Sequence, residues 1–446
     1  MKAKAQEVYE ASDDILLKKK EEELRAVLEP SYNWLYTKVS QVTKEGVKFL
    51  CDVRADLLYI LSHDKNLSND ERVQLRAMSS HLKELLSHWF SAGFLELEQV
   101  TWQSPCSMLQ KISDYEAVHP VKNWTDLKSR VGPYRRCFVF THRSMPDEPI
   151  VVLHVALTTE ISPSIANVVK HHRQIKKATS IEIEDLDPMG PPVKGSAGTE
   201  DPALCTTAIF YSITSTQSGL QGIELGNSLI KQAVKKLKDE FSNMGQFSTL
   251  SPIPGFRKWL LQTLQMSRNG SLSYEVLTKG HLLLLKSVFG IFFQCVFPPI
   301  SEEKAKISRT FYGPTDDFYD SLCTAIKSNQ WAQNDKLRDA LELPLMRLCA
   351  KYLFSEKRRN FALDPVANFH LRNGATMWRL NWWADLSPRG LTNSCGIMVN
   401  YRYYLDQLER NSAQYQEQKI IEATDQIKVL ASQCLQKKAE DTNAKL

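Results

Sequence analysis

Gly219, Gly222 and Gly226 stand three and four residues apart in YSITSTQSGLQGIELGNSLIKQAVKKLKDEF, between a β-rich run and a lysine-edged helical run. Without side chains there, an anion can come close to backbone N–H groups, and the start of the helix adds unpaired donors and the positive end of its dipole. Leu225, Leu229, Val234, Leu237 and Phe241 fall on the face that would meet a sheet, leaving Lys231, Lys235 and Lys238 nearer solvent to meet further phosphates. No GK[ST] follows, so the run is not a Walker loop, and its spacing is not the dinucleotide GxGxxG. It suits a phosphorylated ligand; the same glycines would also serve a plain tight turn from strand to helix. Glu224, a carboxylate within this turn, is expected to orient a donor from behind the anion.

Two further side chains have the types needed for proton chemistry. Ser251, in FSTLSPIPGFRKWL, precedes Pro252, Pro254 and Gly255, a backbone that is stiff and then free and can hold a hydroxyl at a fixed point. The alternative for this serine is a cap for the helix that begins near FRKWL. His370, in LDPVANFHLRNGA, follows Phe369 and has Asn368, Arg372 and Asn373 nearby, so an imidazole of fixed tautomer is feasible. No GxSxG elbow is present, which argues against a hydrolase.

The elements that must position these groups fall into two parts. Up to about residue 94 apolar residues recur three and four apart, the pattern of a helical bundle interrupted at Pro30 and at SHDKNLSND; His81 and His88 read as partly buried packing residues. From about residue 95 the period shortens. RRCFVFTH, EPIVVLHVALTTEIS and TTAIFYSITST are strand-like, with RSMPDE as the turn between the first two. The polar, Gly/Pro-rich stretch 171–205 reads as a surface excursion, and the apolar stretch 277–300 as a buried helix or a membrane-touching hairpin, because Lys286 and Gln294 interrupt it. Amphipathic helices, an aromatic β-like segment and a final helix through QYQEQKIIEATDQIKVLASQCLQKKAED complete the chain. The fold class expected is α+β: a helical bundle over 1–94, suited to assembly, then an α/β catalytic domain over 95–446.

At 446 residues the chain can bury a substantial core. A formal charge of +5, spread along the sequence, suits small anions as well as solvation and gives nucleic acid no special claim. The nine cysteines form no CxxC pair, so neither a zinc site nor a secreted disulfide scaffold is expected. The first residues carry no apolar signal core and no acid-poor presequence, whereas Ala444, Lys445 and Leu446 are close to a peroxisomal address.

HPVKNWTDLKSRVGPYRRCF, EPIVVLHVALT, QGIELG, FSTLSPIPGF, DPVANFHLRNGA and GIMVNYRYYL, distributed from His119 to Leu405, resemble malonyl-CoA decarboxylase. The resemblance implies a helical bundle followed by a catalytic domain of the GCN5-related N-acetyltransferase fold. It implies that Gln221, Gly222, Ile223, Glu224, Leu225, Gly226 and Asn227 hold the coenzyme A pyrophosphate, and that Ser251 and His370 act as proton acceptor and proton donor on malonyl-CoA to yield acetyl-CoA and CO2. Ser212, Glu224 and Tyr403 take supporting positions. No cofactor is implied, because the thioester carbonyl accepts the electrons left by CO2. The resemblance further implies a homo-oligomer, a dimer-based tetramer, with Cys106 as the candidate for an interchain disulfide; read by itself Cys106 is a reduced packing cysteine. Relative to the family the chain begins inside the helical portion, and the stretches 171–205 and 277–300 are longer than its pattern. The expected location is peroxisome, through the import receptor for residues 444–446, and cytoplasm, with mitochondria for a longer form carrying a presequence. The runner-up functions are an acyl-CoA N-acetyltransferase and a non-catalytic acyl-CoA-binding assembly protein.

Overall fold

Helical periodicity governs the first ninety residues, and in the computed structural model it becomes α1 (Lys2–Tyr9), α2 (Asp14–Leu28), α3 (Tyr32–Val42), α4 (Gly46–His63) and α5 (Asn69–Trp89). The structure describes residues 2–9, 14–28, 30, 32–90, 94–168, 200–223, 225–272, 276–296 and 316–433. Helix α5 starts where Ser68 and Glu71 exchange hydrogen bonds, the serine hydroxyl accepting from the Glu71 N–H and the glutamate accepting from the Ser68 N–H. Tyr36, Leu50, Leu57 and Leu82 form the core shared by α3, α4 and α5. His81 packs edge-on against Tyr32. His88 departs from expectation: it is exposed, its ring bonded to the Glu84 carbonyl one turn back on the solvent side.

Seven strands then build one sheet in the order β1 (Glu96–Val100), β2 (Arg135–Thr141), β3 (Val151–Thr158), β4 (Thr207–Ser215), β5 (Gln246–Thr249), β9 (Met398–Arg402), β8 (Thr376–Asn381). The remaining strands, β6 (Lys357–Arg358) and β7 (Phe361–Ala362), form a small separate ribbon. β3 is buried on both faces and β2 nearly so, which is why they read as continuous apolar runs rather than alternating ones. On one side α6 (Cys106–Tyr115) and α7 (Trp124–Arg130) cover Cys137, Val139 and Val152. The main core lies on the other, under α8 (Gly226–Glu240) and α9 (Phe256–Arg268), where Leu229, Leu237, Phe256 and Leu260 are fully buried. The fold is thus α+β, a helical region followed by a mixed sheet, as expected.

Two irregularities interrupt the sheet. Opposite β3, the β4 register jumps from Ser212 to Phe210, so Tyr211 is an extra residue and the strand bulges there. The β4–β5 pair is the single parallel one in this sheet, and it runs only from Thr207↔Gln246 to Phe210↔Thr249. Beyond that point the chain leaves β4, and Ser251 instead exchanges both backbone hydrogen bonds with Val399 of β9.

The apolar stretch after Leu277 forms α10 (Lys279–Val296), which packs on the helix Asp335–Ala350, with Leu285 in the main core. Among the described residues no helix is long and apolar enough to cross a membrane; the stretch is one helix rather than a hairpin up to Val296, yet it is not a buried one, since Leu285 is buried while Leu283 and Leu284 are exposed, and residues 297–300 lie outside the described residues. So does most of the excursion 171–205, though its end is docked: Glu200 pairs with Arg136 at 2.7 Å and Cys205 is buried. The rest of the domain comprises α11 (Asp316–Ser328), α12 (Asp335–Ala350), α13 (Pro365–Arg372), α14 (Pro388–Ser394), α15 (Leu408–Ala413) and α16 (Asp425–Ser432). The single final helix expected from 414 onward is broken. Lys419 adopts a left-handed conformation, and the Glu422 carbonyl and Thr424 N–H pair with Met377 of β8, an edge contact that the β-branched run IIEAT favours over helix.

Candidate active site

Because β4 and β5 are parallel, their carboxyl ends open on the same edge of the sheet, where the strands diverge. That is where open sheets place ligands. The chain leaving β4 makes the glycine turn, and the chain leaving β5 delivers Ser251.

Ser251 does not cap α9, whose first turn begins after Gly255. Its backbone is held by Val399, and its hydroxyl donates to Thr249 Oγ1 at 2.8 Å, leaving Oγ to meet His370 Nε2 at 3.1 Å. His370 comes from the last turn of α13. That helix starts at Pro365 behind Asp364, whose carboxylate accepts from the N–H groups of Val366 and Ala367 and is braced by the Tyr352 hydroxyl. Burial pushes the Asp364 carboxyl up to about 6. The imidazole stacks on Tyr401 with ring centroids 4.6 Å apart, and its Nδ1 lies 2.7 Å from the Tyr403 hydroxyl. Both ring nitrogens are thus engaged, and with the Ser251 hydrogen directed to Thr249 one chain consistent with these distances runs from Tyr403 O–H to Nδ1 and from Nε2–H to Ser251 Oγ. All four groups are buried. Burial pushes His370 down to about 3, so the ring is a neutral imidazole, and it pushes the Tyr403 phenol well above its ordinary range.

The frame behind this chain is polar and hydrogen-bonded except at the Tyr401 hydroxyl, which is buried without a partner among the described residues. Thr249 Oγ1 also accepts the Tyr401 N–H, and Asn400 donates to the Thr249 and Ser162 carbonyls while accepting from Asn381. Thr249, Asn400 and Tyr401 were not singled out in the sequence. A signal for Tyr401 existed: in VNYRYY, Tyr401 and Tyr403 are two apart in a strand and so face the same way.

Ser212 is not part of the histidine chain. Just past the bulge, its hydroxyl faces the Glu116 carboxylate at 2.8 and 2.9 Å, and Glu116 also accepts the N–H groups of Val118 and His119. His154 Nε2 lies 3.3 Å from the same carboxylate without hydrogen-bond geometry, and burial pushes this imidazole down to about 4. Glu116 and His154 gave no sequence signal, since each stands alone in its segment.

In the turn, Gly222 has φ +81° and Gln221 and Ile223 flank it, while Leu225 is buried at the entry to α8 and Gly226 and Asn227 open that helix. Lys231, Lys235 and Lys238 are exposed along α8. Glu224 lies outside the described residues, as do Ala444, Lys445 and Leu446. Cys106 is a free, exposed thiol at the first position of α6.

The profile of the malonyl-CoA decarboxylase C-terminal domain matches residues 93–444, and that of the malonyl-CoA decarboxylase N-terminal domain matches residues 2–90. The chain belongs to the malonyl-CoA decarboxylase family. Mitochondrial malonyl-CoA decarboxylase of Rattus norvegicus is 46% identical over 413 residues, covering 93% of this chain and 73% of the relative. That of Mus musculus is 46% identical over 424 residues, covering 95% and 76%. Among solved structures, malonyl-CoA decarboxylase from Rhodopseudomonas palustris superposes with a TM-score of 0.71 at 29% identity, covering 96% of this chain and 85% of that one. The enzyme from Agrobacterium vitis gives 0.67 at 29% identity, covering 96% and 86%. The family resemblance carried by the sequence motifs is borne out, and the chain is an enzyme of the decarboxylase class.

Proposed function

We propose that this chain decarboxylates malonyl-CoA to acetyl-CoA and CO2 with Ser251 and His370 at the reacting atoms. The observation that carries the assignment is the 3.1 Å contact of Ser251 Oγ with His370 Nε2, buried at the open end of the diverging strands. The bond from the α-carbon to the carboxylate breaks, CO2 leaves, and the bonding pair enters the thioester as an enolate. Ser251 turns from its resting partners to the malonyl carboxylate and orients that bond over the carbonyl. The neutral imidazole hands its Nε2 proton to the α-carbon as Nδ1 takes the proton of Tyr403, and one solvent proton restores the chain. Burial disfavours the localised carboxylate relative to the spread charge of the enolate, which drives the cleavage. Ser212, held by Glu116 beside the β4 bulge, supports that strand, and residues 221–227 hold the coenzyme A phosphates.

Purified protein supplied with malonyl-CoA should form acetyl-CoA and CO2 in equal amounts. Bound malonyl-CoA that stays intact would leave a binding protein, and acetyl transfer to an amine without CO2 release would leave an acetyltransferase.

The same reading makes the chain a regulator of malonyl-CoA level, and so of fatty-acid oxidation and synthesis. Its helical region is proposed as an assembly domain of a homo-oligomer. Cys106 is exposed, as an interchain disulfide requires; mild peroxide followed by non-reducing mass analysis should show a Cys106 cross-link, and a cross-link elsewhere would remove the assignment. Residues 444–446 are proposed as a peroxisomal address. The relatives' names say mitochondrial, and imaging an amino-terminally tagged chain with and without the tripeptide decides between organelles.

A further inference from the structure

The glycine turn is not free-standing: the helical region is built into it. Gly219 packs so closely on the Cys51 backbone of α4 that a Cβ there would overlap the Cys51 carbonyl. One turn further along α4, Arg54 is buried and makes no ion pair with a carboxylate among the described residues. Its guanidinium is spent on backbone carbonyls instead, donating to Gly219, to Gln221 at 2.9 Å, and to Ser79 of α5 at 3.2 Å. A buried guanidinium with no counter-ion is costly unless its donors are satisfied and its charge is used. Here the fork ties two carbonyls of one short turn to one side. The Gly222 N–H has no partner among the described residues: it shares a peptide with the Gln221 carbonyl held by Arg54, and with Gln221 at ψ 128° inside the turn closed by Ile223 N–H on Leu220 it points the opposite way. Above Gly222, the Nζ of Lys83 on α5 comes within 3.5 Å of where a Cβ would stand, and it too has no hydrogen-bond or ion-pair partner among the described residues.

From this arrangement we infer that α4 and α5 complete the coenzyme A phosphate site, with Arg54 as the residue that positions the turn and Lys83 as a direct phosphate ligand. The inference rests on the proposal that residues 221–227 hold those phosphates. It gives the helical region a part in substrate affinity: two cations from the amino-terminal part flank a turn whose carbonyls face one of them and whose free N–H is left for the anion. Lysine and arginine divide the work by geometry. A planar fork can bind two carbonyls of a turn at once, while a flexible ammonium can follow a phosphate.

The test compares malonyl-CoA with malonyl-pantetheine, which carries the same thioester and no phosphate. The readout is the ratio of the two kcat/KM values in wild type, Lys83→Ala, Lys83→Arg and Arg54→Lys. Removing one charge-assisted contact to phosphate should lower the ratio about tenfold in Lys83→Ala, with recovery in Lys83→Arg. Arg54→Lys keeps the charge but loses the fork, and should lower the ratio through KM for malonyl-CoA with kcat retained. A wild-type ratio in folded Lys83→Ala and Arg54→Lys protein overturns the inference and leaves the phosphate turn standing. If wild type itself does not prefer malonyl-CoA, the turn assignment falls, and the inference with it. Should Arg54→Lys fail to fold, the exposed Lys83 still decides the matter.

Discussion

The glycine turn and the Ser251–His370 chain lie at the same edge of one sheet, yet they are made of opposite materials. The turn is consecutive backbone, solvent-facing at Gly222 and stiffened from outside by Arg54. The serine–histidine chain is side chains from three distant segments, 249–251, 370 and 401–403, buried and stiffened from within by their own hydrogen bonds. Backbone donors can hold charge but cannot supply a proton to carbon, and a buried imidazole can supply a proton but holds no diphosphate. Binding and chemistry are therefore separable, and substitutions should divide between KM and kcat according to which site they touch.

The largest expected effect is on the chemical side. His370→Asn and Ser251→Ala should each lower kcat about 100- to 10,000-fold, the usual range for a positioned proton-transfer group, with KM for malonyl-CoA within a few-fold of wild type. A KM that rises as far as kcat falls would erase the distinction between the sites. Next comes Tyr403→Phe, which removes the proton that Nδ1 takes up as Nε2 gives its own; at least about a tenfold loss of kcat is expected, alongside a stability loss of about 1 kcal/mol by thermal or urea unfolding. On the binding side, Gly222→Val puts a β-branched residue at positive φ and crowds Lys83, so malonyl-CoA and acetyl-CoA affinities should both weaken about tenfold while single-turnover chemistry persists. Unchanged affinities would remove the turn from the site.

The last effect is on acid stability. His370 and His154 titrate near 6.5 when unfolded, whereas burial lowers them to about 3 and about 4 in the folded chain. Below pH 6.5 the unfolded chain binds protons that the folded chain refuses, so stability is whole above pH 6.5 and declines as pH falls toward those folded values. Asp364, raised to about 6, acts in the opposite sense between its unfolded value of 3.8 and its folded one, and offsets part of the decline. Replacing His370 by Asn should therefore flatten the fall in stability below pH 6.5 by up to about 1.4 kcal/mol per pH unit, measured by urea unfolding. An identical slope would mean that the ring is already charged in the fold.

The two sites also differ in how far they could be read from sequence. Three glycines before an amphipathic helix are a local pattern, and the helix buries Leu229, Val234, Leu237 and Phe241 as its spacing requires. Asp-Pro before Val366 likewise announces the helix that carries His370. Contact between Ser251 and His370 came from family resemblance, because nothing in either segment encodes the bridge from Ser251 to Val399 that brings β9 alongside. Glu116 and Arg54 were illegible for a different reason. A lone glutamate in a loop and a lone arginine on a helix look like ordinary solvated residues until burial in the fold shows what their charges face. His88 erred the other way: helical spacing placed it near an apolar face, but its rotation on α5 turns it to solvent.

Strand β9 has a consequence for the order in which the molecule matures. β5 is flanked by β4, available early, and by β9, which leaves the ribosome only after α9 to α14 have been made. Until then β5 has one bare edge, with Phe247 beside it, a template for pairing with another nascent chain. Most of the sheet and the glycine turn can form first, whereas the tyrosines that seat His370 come with the late strand itself. Such long-range closure is slow. During refolding, coenzyme A binding should return before turnover does, and chains interrupted short of Tyr403 should bind without reacting.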